Sequence, residues 1–270
     1  MVDEVFKHDL TWEEKAKLNP LYAVMSQSDW FKNKNADVSS WTEDDLKKLY
    51  AKGQLIYDAF LYPIIRRGNL LPENAFIVEY GSGLGTILKV VKSAGFNCAG
   101  IDISATMLEH SRRLVPEVSD LFCLDANGHC DIPSSSADLV YSRAVLQHIS
   151  ELSRVKTAID EMSRILKPGG ILKLHFLTRS NLPFESHGFS GRTWVHNFEN
   201  QSIVIYFGKY SGLPVIYPNI GKHTNWVGVP LSIYNLKRFL KYKGLRLLGL
   251  ERDIGGENRF VWALARKERP

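Results

Sequence analysis

Three glycines at alternate positions, Gly81, Gly83 and Gly85, constrain this chain more than any other feature. The apolar run Ile77-Val78-Glu79-Tyr80 leads into the first of them, and Thr86-Ile87-Leu88 opens a helical pattern after the last. A second apolar run, Gly100-Ile101-Asp102, then ends on a carboxylate. Strand, glycine turn, helix and second strand open a doubly wound α/β sheet, a fold that binds nucleosides at the carboxyl ends of its strands. At that edge Asp102 is placed to accept from both hydroxyls of a ribose.

The glycine spacing narrows the nucleoside. A dinucleotide fingerprint reads Gly-x-Gly-x-x-Gly/Ala, whereas here the third glycine is Gly85 and the sixth position is Thr86. Glu79 also stands just before the loop. A carboxylate there repels a pyrophosphate and suits a cationic ligand without phosphate. These residues resemble motif I of the class I S-adenosylmethionine-dependent methyltransferases.

The text downstream keeps the same order. Leu121 to Ala126 reads as a third strand carrying Asp125, and Ala137 to Ser142 as a fourth. Arg143-Ala-Val-Leu-Gln-His-Ile149 is the turn and helix start after it, and Arg154 to Leu166 is a helix by its apolar spacing. Lys167-Pro-Gly-Gly170 stops that helix, and Gly170 to Leu177 is a fifth strand. Gly244 to Leu250 and Arg259 to Ala265 read as two last strands, joined by a connection too short for a crossover helix, hence antiparallel. That hairpin and Thr86 speak against a nicotinamide-dependent oxidoreductase.

The sequence is similar to the small-molecule branch of the family, closely over about residues 70 to 178 and more loosely over 232 to 267. The resemblance implies an α/β, doubly wound, mostly parallel seven-stranded sheet with an antiparallel last strand, under a helical N-terminal lid. It implies S-adenosyl-L-methionine as cofactor, held by Glu79, Gly81, Gly83, Gly85, Asp102, Ile103, Met107, Asp125, Ala126, Ser142 and Arg143. In this family the acid at Asp125 accepts from the adenine amino group, and the N–H of the next residue reaches a ring nitrogen. The expected division is a lid at 1–74, a Rossmann-like core at 75–178, a substrate-side insertion at 179–231, and the last helix and strands at 232–270.

Composition sets the broad class. The chain of 270 residues is 44% hydrophobic and 23% charged, enough for one sizeable α/β core with additions. It shows no transmembrane-length apolar run, and its first residues lack a signal-peptide core, which points to the cytoplasm. Cys98 and Cys123 fall on apolar strand runs and, with Cys130, form no CxxC pair; they read as reduced core thiols. The net charge of +5 is spread as basic pairs along predicted helices, a solvated face rather than a nucleic-acid footprint. Asn181-Leu-Pro-Phe184 resembles a motif of adenine N-methyltransferases but follows the fifth strand, not the fourth, and so reads as a loop turn. No histidines or carboxylates show tight metal-ligand spacing on one element.

The flanks carry substrate choice. Thr11 with Glu14, and Thr42 ahead of a long amphipathic helix through Ile65, are helix starts. Tyr22 is a candidate for the methionine carboxylate, with a packing role as its alternative. The insertion is dense in aromatics, including Phe184, Trp194, Tyr206, Phe207 and Trp226, and Gln201 to Phe207 reads as an added strand. Such density makes a subsidiary core, an apolar substrate pocket or a dimer surface. His148, just past the fourth strand, is the first candidate for a general base, with His187 and His196 in the insertion behind it. A structural role, capping or packing, is the other reading of His148. The expected reaction is methyl transfer to a small molecule, first to a hydroxyl; an amine acceptor and a non-catalytic cofactor-binding partner subunit are the alternatives.

Overall fold

The computed structural model describes residues 10–20, 37–67, 70–178, 231–252 and 260–269, and, as backbone alone, strands between 183 and 217. Its centre is a seven-stranded sheet: β1 (Phe76–Tyr80), β2 (Asn97–Asp102), β3 (Leu121–Cys123), β4 (Ala137–Ser142), β5 (Leu166–Leu177), β10 (Leu245–Arg252) and β11 (Phe260–Lys267). The spatial order is β10-β11-β5-β4-β1-β2-β3. The pairs β3–β2, β2–β1, β1–β4 and β4–β5 are parallel, while β11 lies antiparallel between β5 and β10. Strand order reverses between β1 and β4, the switch point where such sheets bind ligands.

Helices cover both faces. On one lie α2 (Glu43–Ile56), α3 (Thr86–Ser93) and α4 (Ala105–Leu114), packed over Ile77, Leu139 and Tyr141. On the other lie α5 (Leu152–Ile165) and α6 (Ile233–Tyr242), over Val78, Val140, Leu172 and Leu174. Alternate strand residues thus feed two separate cores, as the pleat requires. A short helix, α1 (Trp12–Leu18), precedes them and packs against α4.

The two expected helix starts form in full. Thr11 and Glu14 cap α1 reciprocally, and Thr42 and Asp45 cap α2 in the same way. Helix α2 continues past Ile56 in π turns, Tyr57–Leu61 and Pro63–Arg67, so its length is as expected but not its winding. Gly53 lets α2 approach the start of α3 closely, because a Cβ there would stand 2.3 Å from the Thr86 carbonyl oxygen.

Four local expectations need correction. β3 ends at Cys123, because Asp125 Oδ1 accepts from the Asn127 and His129 N–H groups and turns the chain out of the sheet. α5 begins at Leu152, two residues before the expected start. β5 begins at Leu166, so Lys167-Pro-Gly-Gly170 lies within it, where the pairing with β4 shifts between Ala137 and Leu139. Cys123 is exposed on edge strand β3 rather than in the core; Cys98 is buried and Cys130 intermediate, and all three are free thiols.

The insertion has the backbone of a second, antiparallel sheet: β6 (Pro183–Ser186), β7 (Phe189–Phe198), β8 (Gln201–Gly208) and β9 (Pro214–Tyr217), in sequential order. The strand expected at Gln201 to Phe207 is β8; the other three were not expected. No helix among the described residues is long and apolar enough to cross a membrane.

Candidate functional site

The glycine loop joins β1 to α3. Gly81, Gly83 and Gly85 take φ of 78°, 52° and 73°, left-handed values that favour glycine. The N–H groups of Gly81 and Ser82 both donate to the Ile101 carbonyl, at 2.7 and 2.9 Å, tying the loop to β2. Gly81 has a second constraint: a Cβ on it would stand 2.1 Å from Cγ2 of Val145, in the loop after β4. The loops that follow β1 and β4 are therefore in direct contact across the switch point.

Asp102 ends β2 with both carboxylate oxygens engaged. Oδ2 accepts from the Gly83 N–H at 2.8 Å and Oδ1 from the Ser104 N–H at 2.9 Å. It is 8% exposed. Burial raises its pKa, and the Ser104 and Gly83 N–H groups oppose that rise. Ser104 caps α4 by accepting from the Met107 N–H at 3.1 Å, and its hydroxyl donates to Glu13 of α1 at 2.7 Å.

Glu79 sits buried at the end of β1, beside Tyr141 of β4 in register. Its Oε2 has no hydrogen-bond partner. Burial pushes its carboxyl up to about 8; the neighbouring Tyr141 hydroxyl and the Arg143 guanidinium act against that shift, and Asp102 adds to it. The Tyr141 hydroxyl lies near without the geometry of a hydrogen bond. The group is thus a proton-carrying acid near neutral pH, poised to ionise beside a cation.

The loop after β4 runs Arg143, Ala144 and Val145 into a 3-10 turn, Leu146–His148. Ser142 Oγ and Gln147 Oε1 are buried without hydrogen-bond partners, as is Ser82 Oγ in the glycine loop. His148 is half-buried, and the Trp12 ring of α1 meets it edge-on at 5.0 Å between centroids. Helix α1 therefore touches the loops after both β2 and β4.

The remaining expected residues separate by exposure. Asp125 and Ala126 are exposed in the turn after β3, and Ile103 is 54% exposed beside Asp102. Met107 is 2% exposed in the core under α4. Tyr22 and His187 lie outside the described residues, and His196 is described only as β7 backbone. Sequence reading passed over Glu13 and Trp12, which belong to α1 and contact the site. The Thr11–Glu14 cap marked the helix but carried no signal of where it docks.

Three comparisons bear on this geometry. Residues 78–174 match the family described as "Methyltransferase domain". The chain is 30% identical over 117 residues to a 2-methyl-6-phytyl-1,4-hydroquinone methyltransferase of Synechocystis, covering 42% of this chain and 36% of that protein. It is 27% identical over 106 residues to a malonyl-[acyl-carrier protein] O-methyltransferase of Yersinia pestis, covering 39% and 38%. The match spans under half the length of these curated relatives. In fold it resembles an S-adenosylmethionine-dependent methyltransferase from Clostridium acetobutylicum, with a TM-score of 0.52 at 14% identity over 82% of this chain and 99% of that one. With the sheet order, the glycine loop and the acids at the ends of β1 and β2, these likenesses make residues 78–174 a methyltransferase domain, on the fold of the S-adenosylmethionine-dependent methyltransferases.

Proposed function

We propose that this chain transfers the methyl group of S-adenosylmethionine to a hydroxyl of a small-molecule acceptor. The observation that carries the reading is the pair of buried carboxylates, Glu79 and Asp102, at the carboxyl ends of adjacent parallel strands. Glu79 Oε2 is buried without a hydrogen-bond partner, as are Ser82 Oγ in the glycine loop, Ser142 Oγ at the end of β4 and Gln147 Oε1 in the turn after it. Such atoms call for a ligand or water. Acids at the strand ends, rather than a basic phosphate cradle, suit a nucleoside carrying cations. The Yersinia relative, named as an O-methyltransferase, supports an oxygen acceptor.

Bound S-adenosylmethionine supplies an electrophilic methyl group on a sulfonium. The chain's own residues bind and orient. Asp102 accepts from the ribose hydroxyls with lone pairs left after its two backbone bonds. Glu79 faces the cationic end of the ligand and gives up its proton to do so. Asp125 and the Ala126 N–H take the adenine edge, and Ile103 offers its exposed apolar surface to the base. Ser142 and Arg143 line the side of β4. His148 takes the proton of the attacking hydroxyl, and Trp12 against its ring fixes the orientation.

Calorimetric titration with S-adenosylmethionine, S-adenosylhomocysteine and NAD tests the cofactor. A panel of alcohols, carboxylic acids and amines with methyl-labelled cofactor tests the acceptor. Binding of the first two ligands, none of NAD, and label on oxygen are expected. Label on nitrogen alone overturns the acceptor, binding without any transfer overturns the activity, and NAD binding alone overturns the cofactor. His148→Ala should lower turnover and leave cofactor affinity unchanged.

A further inference from the structure

His175 lies in β5 outside every role assigned above, and it is 3% exposed. Its ring lies against Phe260, with centroids 5.2 Å apart and planes at 27°, and against Trp262 at 4.7 Å. Trp262 is also its cross-strand partner in β11. Aromatic neighbours on the adjacent strand hold the plane of the imidazole. Nδ1 accepts the Ala144 backbone N–H at 3.2 Å, which places the proton of the neutral ring on Nε2.

Ala144 has φ of 57°, a left-handed conformation that an alanine adopts only when its surroundings enforce it. The next residue, Val145, presses on Gly81 so closely that no Cβ would fit there. The Val145 carbonyl in turn accepts from the His148 N–H at 2.9 Å, closing the turn that presents His148. One ring nitrogen in β5 thus holds the strained residue between Arg143 and Val145, and through it the seat of one loop on the other.

We infer that His175 is a positioning residue, whose Nδ1 holds the loop after β4 in register with the glycine loop and so sets the cofactor side and the acceptor side of the site relative to each other. The inference rests on the methyl-transfer reading for its catalytic consequence only. Removing the acceptor leaves the Ala144 N–H without its partner and lets the left-handed residue relax.

Two substitutions separate this role from simple packing. His175→Phe keeps the ring and its stacking but has no acceptor. His175→Asn loses the ring but presents a carbonyl oxygen near the place of Nδ1. A packing role predicts that Phe is tolerated and Asn is not; the positioning role predicts the reverse order. Amide hydrogen exchange over residues 143–148, in cofactor-free protein, is the first readout. We expect exchange to quicken by roughly tenfold or more in the Phe variant and to stay near the native rate in the Asn variant. Calorimetry with S-adenosylmethionine should follow the same order, and so should turnover once an acceptor is known.

Native-like exchange in the Phe variant, or equal loss in both, overturns the inference. If His175→Phe does not fold, His175→Leu takes its place against Asn, and the wild-type Ala144 amide must itself be protected. Failure of methyl transfer with every acceptor, while the exchange order holds, would count against the proposed function and not against His175.

Discussion

Ser104 Oγ donates to Glu13 across 2.7 Å, joining helix α1 to the start of helix α4 over a sequence separation of 91 residues. The Thr106 N–H and hydroxyl add bonds of 3.1 and 2.5 Å to the same carboxylate. The Thr106 hydroxyl does most to hold the Glu13 carboxyl down at about 2; burial opposes it, and Ser104, the Thr106 N–H and Lys17 add to it. Ser104 gives its own N–H to Asp102, so helix α1, helix α4 and the acid at the end of β2 form one network.

Glu13→Ala should release α1 from the domain without unfolding it. Charge-assisted bonds of this kind contribute about 1–3 kcal/mol, and a helix of this length is marginal without tertiary contacts. Exchange at residues 12–18 should rise toward that of an unprotected segment, and proteolysis after Lys15 or Lys17 should quicken. Glu13 has a folded pKa below its free value of 4.5, so its contribution is full above 4.5 and lost as pH falls toward about 2. Acid should therefore free α1 from the wild-type protein and make no difference to Glu13→Ala. Unchanged cleavage in the variant would show that packing, of Trp12 against His148 and of the buried Ala16, holds the helix without the carboxylate.

Asp102→Ala removes a ribose acceptor and two loop bonds together, so it should weaken both cofactor binding and the fold. Asp102→Asn keeps one acceptor oxygen and separates the two effects. The Ala variant should lose about 1–3 kcal/mol of cofactor affinity and a similar amount of stability; the Asn variant should recover most of the stability but not the affinity. Calorimetry and thermal melts of the two proteins decide. Equal cofactor affinity in wild type and Asp102→Ala would remove Asp102 from the ribose site.

Glu79 makes cofactor affinity depend on pH. Its folded pKa of about 8 lies above the free value of 4.5, so the folded protein holds a proton that the unfolded chain releases between those values. The stabilising effect of the neutral acid is complete below 4.5 and is lost as pH rises through about 8. A cationic ligand reverses the preference and expels the proton. Affinity for S-adenosylmethionine should therefore rise between pH 5 and about 8, by up to roughly tenfold per pH unit, with proton release visible as a buffer-dependent enthalpy. Glu79→Gln should lose this slope and resist the fall in melting temperature at high pH. A wild-type affinity flat over the whole range would place the cation away from Glu79.

The parts of this site legible in the sequence are those set by local backbone demands. Gly81, Gly83 and Gly85 announce left-handed turns, Thr11 and Thr42 announce helix caps, and the run Ala137 to Ser142 is a buried strand with the expected bounds. The antiparallel β10–β11 pairing followed from a connection too short for anything else. The rest depends on pairs far apart in the chain. Glu13 looks like one more first-turn acid, and nothing in its neighbourhood points to Ser104. Cys123 looks like a core thiol because its strand reads as apolar, but β3 is an edge three residues long. Lys167-Pro-Gly-Gly170 carries the signals of a helix stop and does stop α5; that it also opens β5 is decided by the pairing with β4. His175 stands on an apolar run like any core residue, and only the fold brings Ala144 to it.

Glu161 should prove the most damaging position outside the site, because it holds the turn that carries Asp125. Its side chain is fully buried within α5. The carboxylate accepts from Arg164 at 2.7 and 2.8 Å, from the Cys130 N–H at 2.9 Å and faces His129 Nδ1 at 2.9 Å. Burial alone would raise its pKa, but the Arg164, His129 and Cys130 bonds outweigh it and bring the carboxyl down to about 2. Glu161→Ala takes the acceptor from the part-buried Cys130 N–H and from Arg164, which keeps only Ser134 Oγ and the Cys130 carbonyl, and should cost about 2–3 kcal/mol. Glu161→Gln should lose less, because its amide oxygen can still accept from the Cys130 N–H or from Arg164. Since His129 closes the Asp125 turn through its N–H, cofactor affinity should fall several-fold in both variants at temperatures where they stay folded. The wild-type contribution is full above pH 4.5 and lost toward about 2, so acid should narrow the gap in melting temperature between wild type and variant. A gap that stays constant down to pH 3 would mean that packing around α5, and not the carboxylate, holds the turn.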